Sequence, residues 1–234
     1  MTMIHRNRRA IHLNNVAVDQ FESGLLVNAY QALIEATALL SADTEERQEQ
    51  QTEDAYRGMY RYFWVECSST YNRPKEEKKN ELCLNEGISS FLCLRALKVT
   101  INPQDLEKLD SVCDRGYSWV IWYNLALVSN LMGTRLGEKG YNLLGKAFDL
   151  LQKVQTRINS ESATCDWSFL QMAIINNQAC IYRELAMMDA LHQSLDKLSE
   201  SLSCQSTSVV GKQHRDTFYF NFVVLSGQTF APAA

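Results

Sequence analysis

The sequence has few residues that interrupt helices and none of the motifs that mark the commonest enzymes. It contains three prolines and ten glycines in 234 residues, and because these residues punctuate helices and strands, their scarcity favours a mostly helical chain. It has no G-x-x-x-x-G-K-[ST], G-x-G-x-x-G or G-x-S-x-G segment, the motifs that bind nucleotide phosphates or carry a serine nucleophile. These absences argue against the common nucleotide-binding and hydrolase classes.

Long apolar runs and paired cysteines are also missing. The most apolar stretch, 117–132, is interrupted by serine and asparagine and falls short of the ~20 apolar residues that cross a bilayer. The N-terminus is basic but lacks the apolar core of a secretory signal. The seven cysteines are odd in number and form no C-x-x-C pair, which favours reduced thiols. We therefore expect an intracellular, cytoplasmic protein with no membrane partner, and the basic N-terminus leaves a nuclear location open.

The charge and the histidines identify no catalytic or nucleic-acid site. Lys and Arg number 23 and Asp and Glu 27, a net charge of −4, so we expect no nucleic-acid partner. No histidine is spaced with another His, Cys or carboxylate as a zinc site requires. We expect no metal, no cofactor and no catalytic residues, and hence a protein that is not an enzyme. The four histidines are His5, His12, His192 and His214.

Apolar spacing divides most of the chain into three helix pairs. Apolar residues recur at helical spacing with a break inside each region, which predicts antiparallel pairs of amphipathic helices. We expect the pairs to belong to one mainly α domain that spans residues 1–234. The predicted pairs cover residues 8–41, 103–160 and 164–202.

Three further segments have strand character. Residues 56–65 are rich in aromatics, and residues 82–99 have closely spaced Leu and Cys; both lie in a linker region, 43–100, that we expect to hold β segments. Residues 218–225 alternate with a period of two, which predicts a C-terminal strand over 217–226. We expect these segments to form a small hairpin or sheet.

The helix pairs share an internal repeat. In each pair, a small residue lies seven positions before another residue that we place at the turn between the two helices. Small side chains allow helices to approach closely, and glycine readily ends a helix. The two residues are Ala17 and Gly24 in the first pair, Ala126 and Gly133 in the second, and Ala179 and Ala186 in the third.

This repeat resembles the tetratricopeptide (TPR) family, whose helix pairs carry an aromatic residue, a Leu-Gly or Leu-Ala step, a turn glycine and alanines on the second helix. Trp122, Leu125, Ala126 and Gly133 match that pattern. The third pair has leucines where the family has alanine, and the intervals between pairs exceed the family's period of about 34 residues. The closing FYFNFVVL segment and the Asn-x-Ala helices resemble a group of TPR-like proteins of diatom-type microalgae. The resemblance implies a TPR-like α-α superhelix and brings no known activity.

Asparagines recur at one position of the repeat. Asn15, Asn124 and Asn177 each stand two residues before the small alanine of a first helix. The resemblance implies that first helices line a concave groove, where a ladder of asparagines holds the backbone of an extended peptide. An amide can donate and accept at once, which suits this role. The alternative is that the amides bond neighbouring helices and stabilise the stack. Tyr123 and Arg183 are the neighbours that we expect to add side-chain contacts.

These observations predict a non-catalytic scaffold. We expect it to bind a protein or an extended peptide on the concave face of a short helical repeat. The alternative is a structural or self-assembling protein that pairs through its aromatic β segments.

Overall fold

The computed structural model describes residues 3–41, 60–66, 93, 95–101, 117–160, 168–204 and 212–227, and these residues are mainly helical, which confirms the expected fold class. Within these ranges, no helix combines the length and the apolar character that crossing a membrane requires. A 3-10 helix, Gly137–Gly140, joins two of the helices, and the strands are β1 (Tyr60–Glu66) and β2 (Arg95–Ile101). The helices are α1 (Met3–Glu22), α2 (Leu26–Ser41), α3 (Ser118–Leu136), α4 (Tyr141–Ser160), α5 (Ser168–Glu184), α6 (Met188–Cys204) and α7 (Lys212–Leu225).

Three helix pairs lie where the apolar spacing predicts them. The pairs α1–α2, α3–α4 and α5–α6 fall within or around 8–41, 103–160 and 164–202. The predicted helix start near residue 103 and the acidic part of the linker, 43–54, lie outside the described residues. Buried positions such as Leu33, Leu151 and Leu198 show that the apolar stripe of each helix forms the core.

The chain divides into two compact units, where the sequence led us to expect one domain. The first unit contains residues 1–71 and 94–129, and the second contains residues 72–93 and 130–234. In the first unit, α1 packs against α2 and against β2. In the second unit, α5 packs against α4, α6 and α7. The boundary falls between Ser129 and Asn130, inside α3.

The same turn ends the first helix of the first and third pairs. Gly24 (φ 78°) and Ala186 (φ 54°) both adopt the left-handed conformation. In each turn, two backbone N–H groups donate to the last free carbonyls of the helix in the Schellman pattern. The bonds run from Gly24 N–H to the Phe21 carbonyl (3.0 Å), Leu25 N–H to Gln20 (2.8 Å), Ala186 N–H to Arg183 (3.1 Å) and Met187 N–H to Tyr182 (2.8 Å).

The second pair differs, and the prediction of Gly133 as its turn residue is wrong. The helix α3 continues through Gly133, and Gly137 (φ 58°) is the left-handed residue that follows it. Gly133 is instead a point of close packing, because a Cβ added there would lie 2.7 Å from a side-chain carbon of Leu144. A Cβ at Gly140 would lie 2.1 Å from the Gly133 carbonyl oxygen. The shift from Gly133 to Gly137 is about one helical turn, so the two positions lie near the same helix face.

The predicted C-terminal strand over 217–226 is also wrong, because these residues lie in and around α7. Phe218, Asn221 and Leu225 are buried, whereas Tyr219 and Phe220 are half exposed. Buried positions spaced by three and four residues form one face of a helix. The aromatic ring of Phe218 packs against Phe169 of α5, with ring centroids 5.5 Å apart. The period of two arose from aromatic residues that lie on both faces, and packing on α5 decided which face is buried.

The strands β1 and β2 pair antiparallel in a two-stranded sheet. The register places Tyr62 opposite Val99 and Trp64 opposite Leu97. These strands fall within or next to the predicted β segments 56–65 and 82–99, whose remaining residues, except Cys93, lie outside the described ranges. The sheet is therefore an antiparallel pair whose strands are distant in sequence.

Candidate functional site

In the first unit, two of the three repeated asparagines bond the backbone of β2. The Leu97 N–H donates to Asn124 Oδ1 (2.9 Å), and Asn124 Nδ2 donates to the Leu97 carbonyl (2.7 Å). Asn15 makes the same two contacts with Val99. The Val99 N–H donates to Asn15 Oδ1 (2.9 Å), and Asn15 Nδ2 donates to the Val99 carbonyl (2.7 Å). Each amide therefore satisfies both backbone groups of one residue. We call Asn15 and Asn124 the first clamp.

In the second unit, Asn177 of α5 makes the same pair of contacts with Cys93. The Cys93 N–H donates to Asn177 Oδ1 (2.8 Å), and Asn177 Nδ2 donates to the Cys93 carbonyl at a longer distance of 3.4 Å. We call Asn177 the second clamp. Each repeated asparagine thus holds backbone groups of this same chain: residues of β2 in the first unit and Cys93 in the second.

The alternation of a β-strand explains why the clamped residues are odd-numbered. Along a strand, the N–H and C=O of successive residues point to opposite edges. Leu97 and Val99 direct these groups to the helices, so Ala96, Lys98 and Thr100 direct theirs to β1. The amides of the first clamp thus take the place of a neighbouring strand. Since Leu97 and Val99 are fully buried, their backbone groups would otherwise lie unpaired in the core, at about 1–3 kcal/mol each.

A second asparagine on α1 links the first clamp to its neighbours. Asn14 donates to the Leu97 carbonyl (3.0 Å) and to Asn15 Oδ1 (3.2 Å). Its own Oδ1 accepts a bond from Asn124 Nδ2 (2.8 Å), which joins α1 to α3. The same amide of Asn124 therefore bonds an extended segment of this chain and a neighbouring helix. The binding of a separate peptide stays a prediction.

The second unit repeats this linkage. Asn176 donates to Asn177 Oδ1 (3.3 Å), and Asn221 of α7 donates to Asn176 Oδ1 (3.0 Å). Asn130 donates to the backbone carbonyl of Asn177 (3.4 Å). Asn176 and Asn177 correspond to Asn14 and Asn15 of the first unit, and Asn221 bonds Asn176 as Asn124 bonds Asn14.

Four residues of this network, Asn14, Asn130, Asn176 and Asn221, were not predicted from the sequence, although signals exist for three of them. Asn14 and Asn176 are the first members of two Asn-Asn steps at equivalent positions of the repeat. Asn221 stands two residues before buried Val223, much as Asn15 stands before Ala17. The strand prediction for 217–226 concealed this third match, because the pattern has meaning only on a helix.

The two expected neighbours have different positions. The Tyr123 hydroxyl donates to the Arg95 carbonyl (3.0 Å), so Tyr123 contacts β2 beside the first clamp. Arg183 lies exposed in the last turn of α5. No hydrogen bond or ion pair joins its side chain to the described residues of the clamped segment. The structure therefore brings Tyr123 to the site and leaves Arg183 at its margin.

Charges near the two clamps differ in kind. Beside the first clamp, the Lys98 ammonium group pairs with the carboxylate of Asp19, which lies one helical turn after Asn15. Beside the second clamp, burial raises the pKa of the Cys180 thiol to about 12; the guanidinium of Arg183 lowers it, and Glu184 and Cys93 raise it further. Cys180 is thus a neutral thiol at physiological pH and lacks the thiolate that nucleophiles and metal ligands need.

The described residues contain no group of three or more His, Cys, Asp or Glu side chains that could hold a metal ion. In comparisons with known proteins, no family model, no curated protein and no solved structure matches this chain. The site consists of side-chain amides bonded to the backbone of an extended segment, and this geometry determines what it can bind.

Proposed function

We propose that the chain is a non-catalytic scaffold of TPR-like helix pairs that binds an extended polypeptide through the asparagines of its first helices. The observation that carries this proposal is the paired contact of each clamp amide with the N–H and C=O of a single residue. A peptide held in this way is recognised by its backbone, so the same amides can accept segments of different sequence.

In this proposal, β2 acts as an intramolecular ligand of the first clamp. A covalently linked ligand has an effective concentration of about millimolar when its linker is short and flexible. A free peptide of micromolar affinity would therefore compete poorly with β2. We expect partner binding at the first clamp to require that β2 leaves it.

A variant that removes the clamped N–H groups tests this proposal. In Leu97→Pro/Val99→Pro, which we call the opened variant, the two groups that donate to Asn124 and Asn15 are absent, because proline has no backbone N–H. Thr100→Pro is the matched control, since Thr100 is exposed and its N–H points toward β1. Circular dichroism establishes that the variants keep their helices.

Binding is then measured by fluorescence anisotropy with a labelled peptide of residues 95–101. We expect micromolar binding to the opened variant and at least tenfold weaker binding to the unchanged chain and to Thr100→Pro. The same peptide methylated on the Leu97 nitrogen should lose its binding, because it cannot donate to Asn124. A helical opened variant that binds neither peptide would contradict the proposal.

A second proposal rests on the sheet. Within the described residues, β1 pairs with β2 alone. The alternation of the strand directs the backbone groups of Tyr60, Tyr62, Trp64 and Glu66 away from β2. An edge of this kind can add a strand from a second copy, which would make the chain a self-assembling protein. Light scattering over a range of concentrations tests this proposal, and a strict monomer would rule it out.

A further inference from the structure

We infer that the first clamp selects an extended peptide in which two apolar residues flank a basic residue. This inference rests on the proposed function, because it uses the way in which β2 occupies the first clamp to define what another peptide must resemble. It concerns the positions of Leu97, Lys98 and Val99.

The backbone bonds fix the register of any peptide that replaces β2. Asn124 and Asn15 hold two residues that are separated by one, so the side chains of those residues share one face of the strand. On this face, Leu97 and Val99 are fully buried. Burying an aliphatic side chain stabilises a complex, and an ionised side chain at either position would be expensive to bury. These two positions therefore supply most of the affinity.

The residue between these two positions, Lys98, lies beside a negative charge. The Lys98 ammonium group pairs with Asp19, which belongs to the same helix as Asn15. The side chains of Lys98 and Asp19 are 30% and 58% exposed, respectively, and exposed pairs contribute little stability. Their effect is on selectivity, because an acidic residue at this position would face the carboxylate of Asp19. The central position therefore distinguishes basic from acidic peptides.

The opposite face adds a size limit. Ala96 is 1% exposed, whereas Thr100 is exposed to solvent. A long side chain at the Ala96 position would meet a packed interior, but the Thr100 position accepts any residue. The favoured ligand is thus a small residue, an apolar residue, a basic residue and a second apolar residue in extended conformation.

The experiment compares labelled peptides of residues 95–101 on the opened variant. We expect a peptide with Leu97→Ala to bind at least tenfold more weakly than the parent peptide. A peptide with Lys98→Glu should bind about fivefold more weakly at low salt, with a smaller difference in high salt. A peptide with Thr100→Ala is the matched control and should bind as the parent does.

A charge exchange on the protein identifies the contact. Asp19→Lys in the opened variant should weaken the binding of the parent peptide and restore the binding of the Lys98→Glu peptide. Glu22→Lys makes the same change of net charge on an exposed residue of the same helix and should not reverse the preference. If the parent peptide fails to bind, the proposed function fails. If it binds but Lys98→Glu binds equally, or Asp19→Lys restores nothing, the inference alone is overturned.

A measurement on the chain without the two prolines covers the case in which the opened variant does not fold. Lys98→Glu should lower the midpoint of urea unfolding, and the double variant Asp19→Lys/Lys98→Glu should recover part of that loss. An additive effect of the two changes, with no recovery, would overturn the role of Asp19 in selectivity.

Discussion

The two units build the same clamp but hold their residues unequally. In the first unit, four hydrogen bonds of 2.7–2.9 Å hold Leu97 and Val99. In the second unit, Cys93 is held by one bond of 2.8 Å and one of 3.4 Å. The pattern of asparagines therefore specifies the kind of contact. The pattern does not fix the lengths of these bonds, which differ between the two units.

The turns of the two units give a second comparison. Gly24 and Ala186 occupy the same place in the same hydrogen-bond pattern. Glycine adopts the left-handed conformation without steric penalty, and alanine does so at a cost of about 1 kcal/mol. The alanine turn shows that the hydrogen bonds and packing of α5 and α6 impose this conformation on a residue that disfavours it.

The largest effect is expected from Asn124→Ala. This change removes both bonds to Leu97 and the bond to Asn14. It leaves the buried Leu97 N–H unpaired, whereas the Leu97 carbonyl keeps its bond from Asn14. We expect the free energy of unfolding to fall by about 3 kcal/mol, measured by urea denaturation. Asn28→Ala changes an exposed asparagine of α2 and should have an effect within about 0.5 kcal/mol. Equal effects of the two variants would show that the clamp adds no stability.

Asn177→Ala should cost less, about 2 kcal/mol, because one of its two bonds to Cys93 is long. Amide hydrogen exchange resolves this effect by residue. We expect faster exchange at the Cys93 amide and unchanged exchange at the Leu97 amide, which belongs to the other unit. Asn142→Ala, an exposed asparagine of α4, is the control. Equal loss of protection at Cys93 and Leu97 would mean that the clamps do not act independently.

Alkaline pH should weaken the second unit through Cys180. Burial raises the pKa of this thiol from 9.0 to about 12 in the folded chain. Its contribution to stability is fully present below pH 9 and is lost as the pH rises through about 12, because the unfolded chain ionises first. By pH 10.5, ionisation of this thiol in the unfolded state should lower the free energy of unfolding of the unchanged chain by about 2 kcal/mol. Cys180→Val should not show this part of the loss. Parallel unfolding curves for the two chains from pH 8 to 10.5 would contradict this expectation.

The smallest effects are expected at the turns, and their signs are opposite. Gly24→Ala should lower the free energy of unfolding by about 1 kcal/mol, because it adds a side chain at a positive φ. Ala186→Gly should raise it by a few tenths to 1 kcal/mol, since glycine relieves the same conformation. Thermal unfolding followed by circular dichroism measures both. A destabilising Ala186→Gly would show that the Ala186 side chain makes a contact worth more than the strain.

Local patterns in the sequence were enough to predict the mainly helical fold, the three helix pairs and the position of the repeated asparagines. Apolar periodicity identifies helices because a helix must place its apolar residues on one face. The repeated asparagines could be identified because an amide inside a helix has to find a partner. Both signals are carried by residues that lie within a few turns of one another.

Other features depend on contacts that no local pattern records. Gly133 stood at the same spacing as Gly24, but its packing against Gly140 and Leu144 keeps it inside α3. The alternating aromatics of α7 are compatible with a strand when the sequence is considered alone. The packing of α7 on α5, with Phe218 against Phe169, determines which positions are buried. In each case, a neighbour that is distant in sequence chose between two conformations that the local residues allow.

The sequence by itself determined that asparagines of the first helices would bond something, because their amides recur at one position of a helical repeat. Only the tertiary structure decided that their partner is the chain's own segment. An amide binds the backbone N–H and C=O that every residue carries, so nothing in the asparagines specifies which segment they hold. In the first unit, the burial of Leu97 and Val99 and the pairing of β2 with β1 bring β2 to the first clamp.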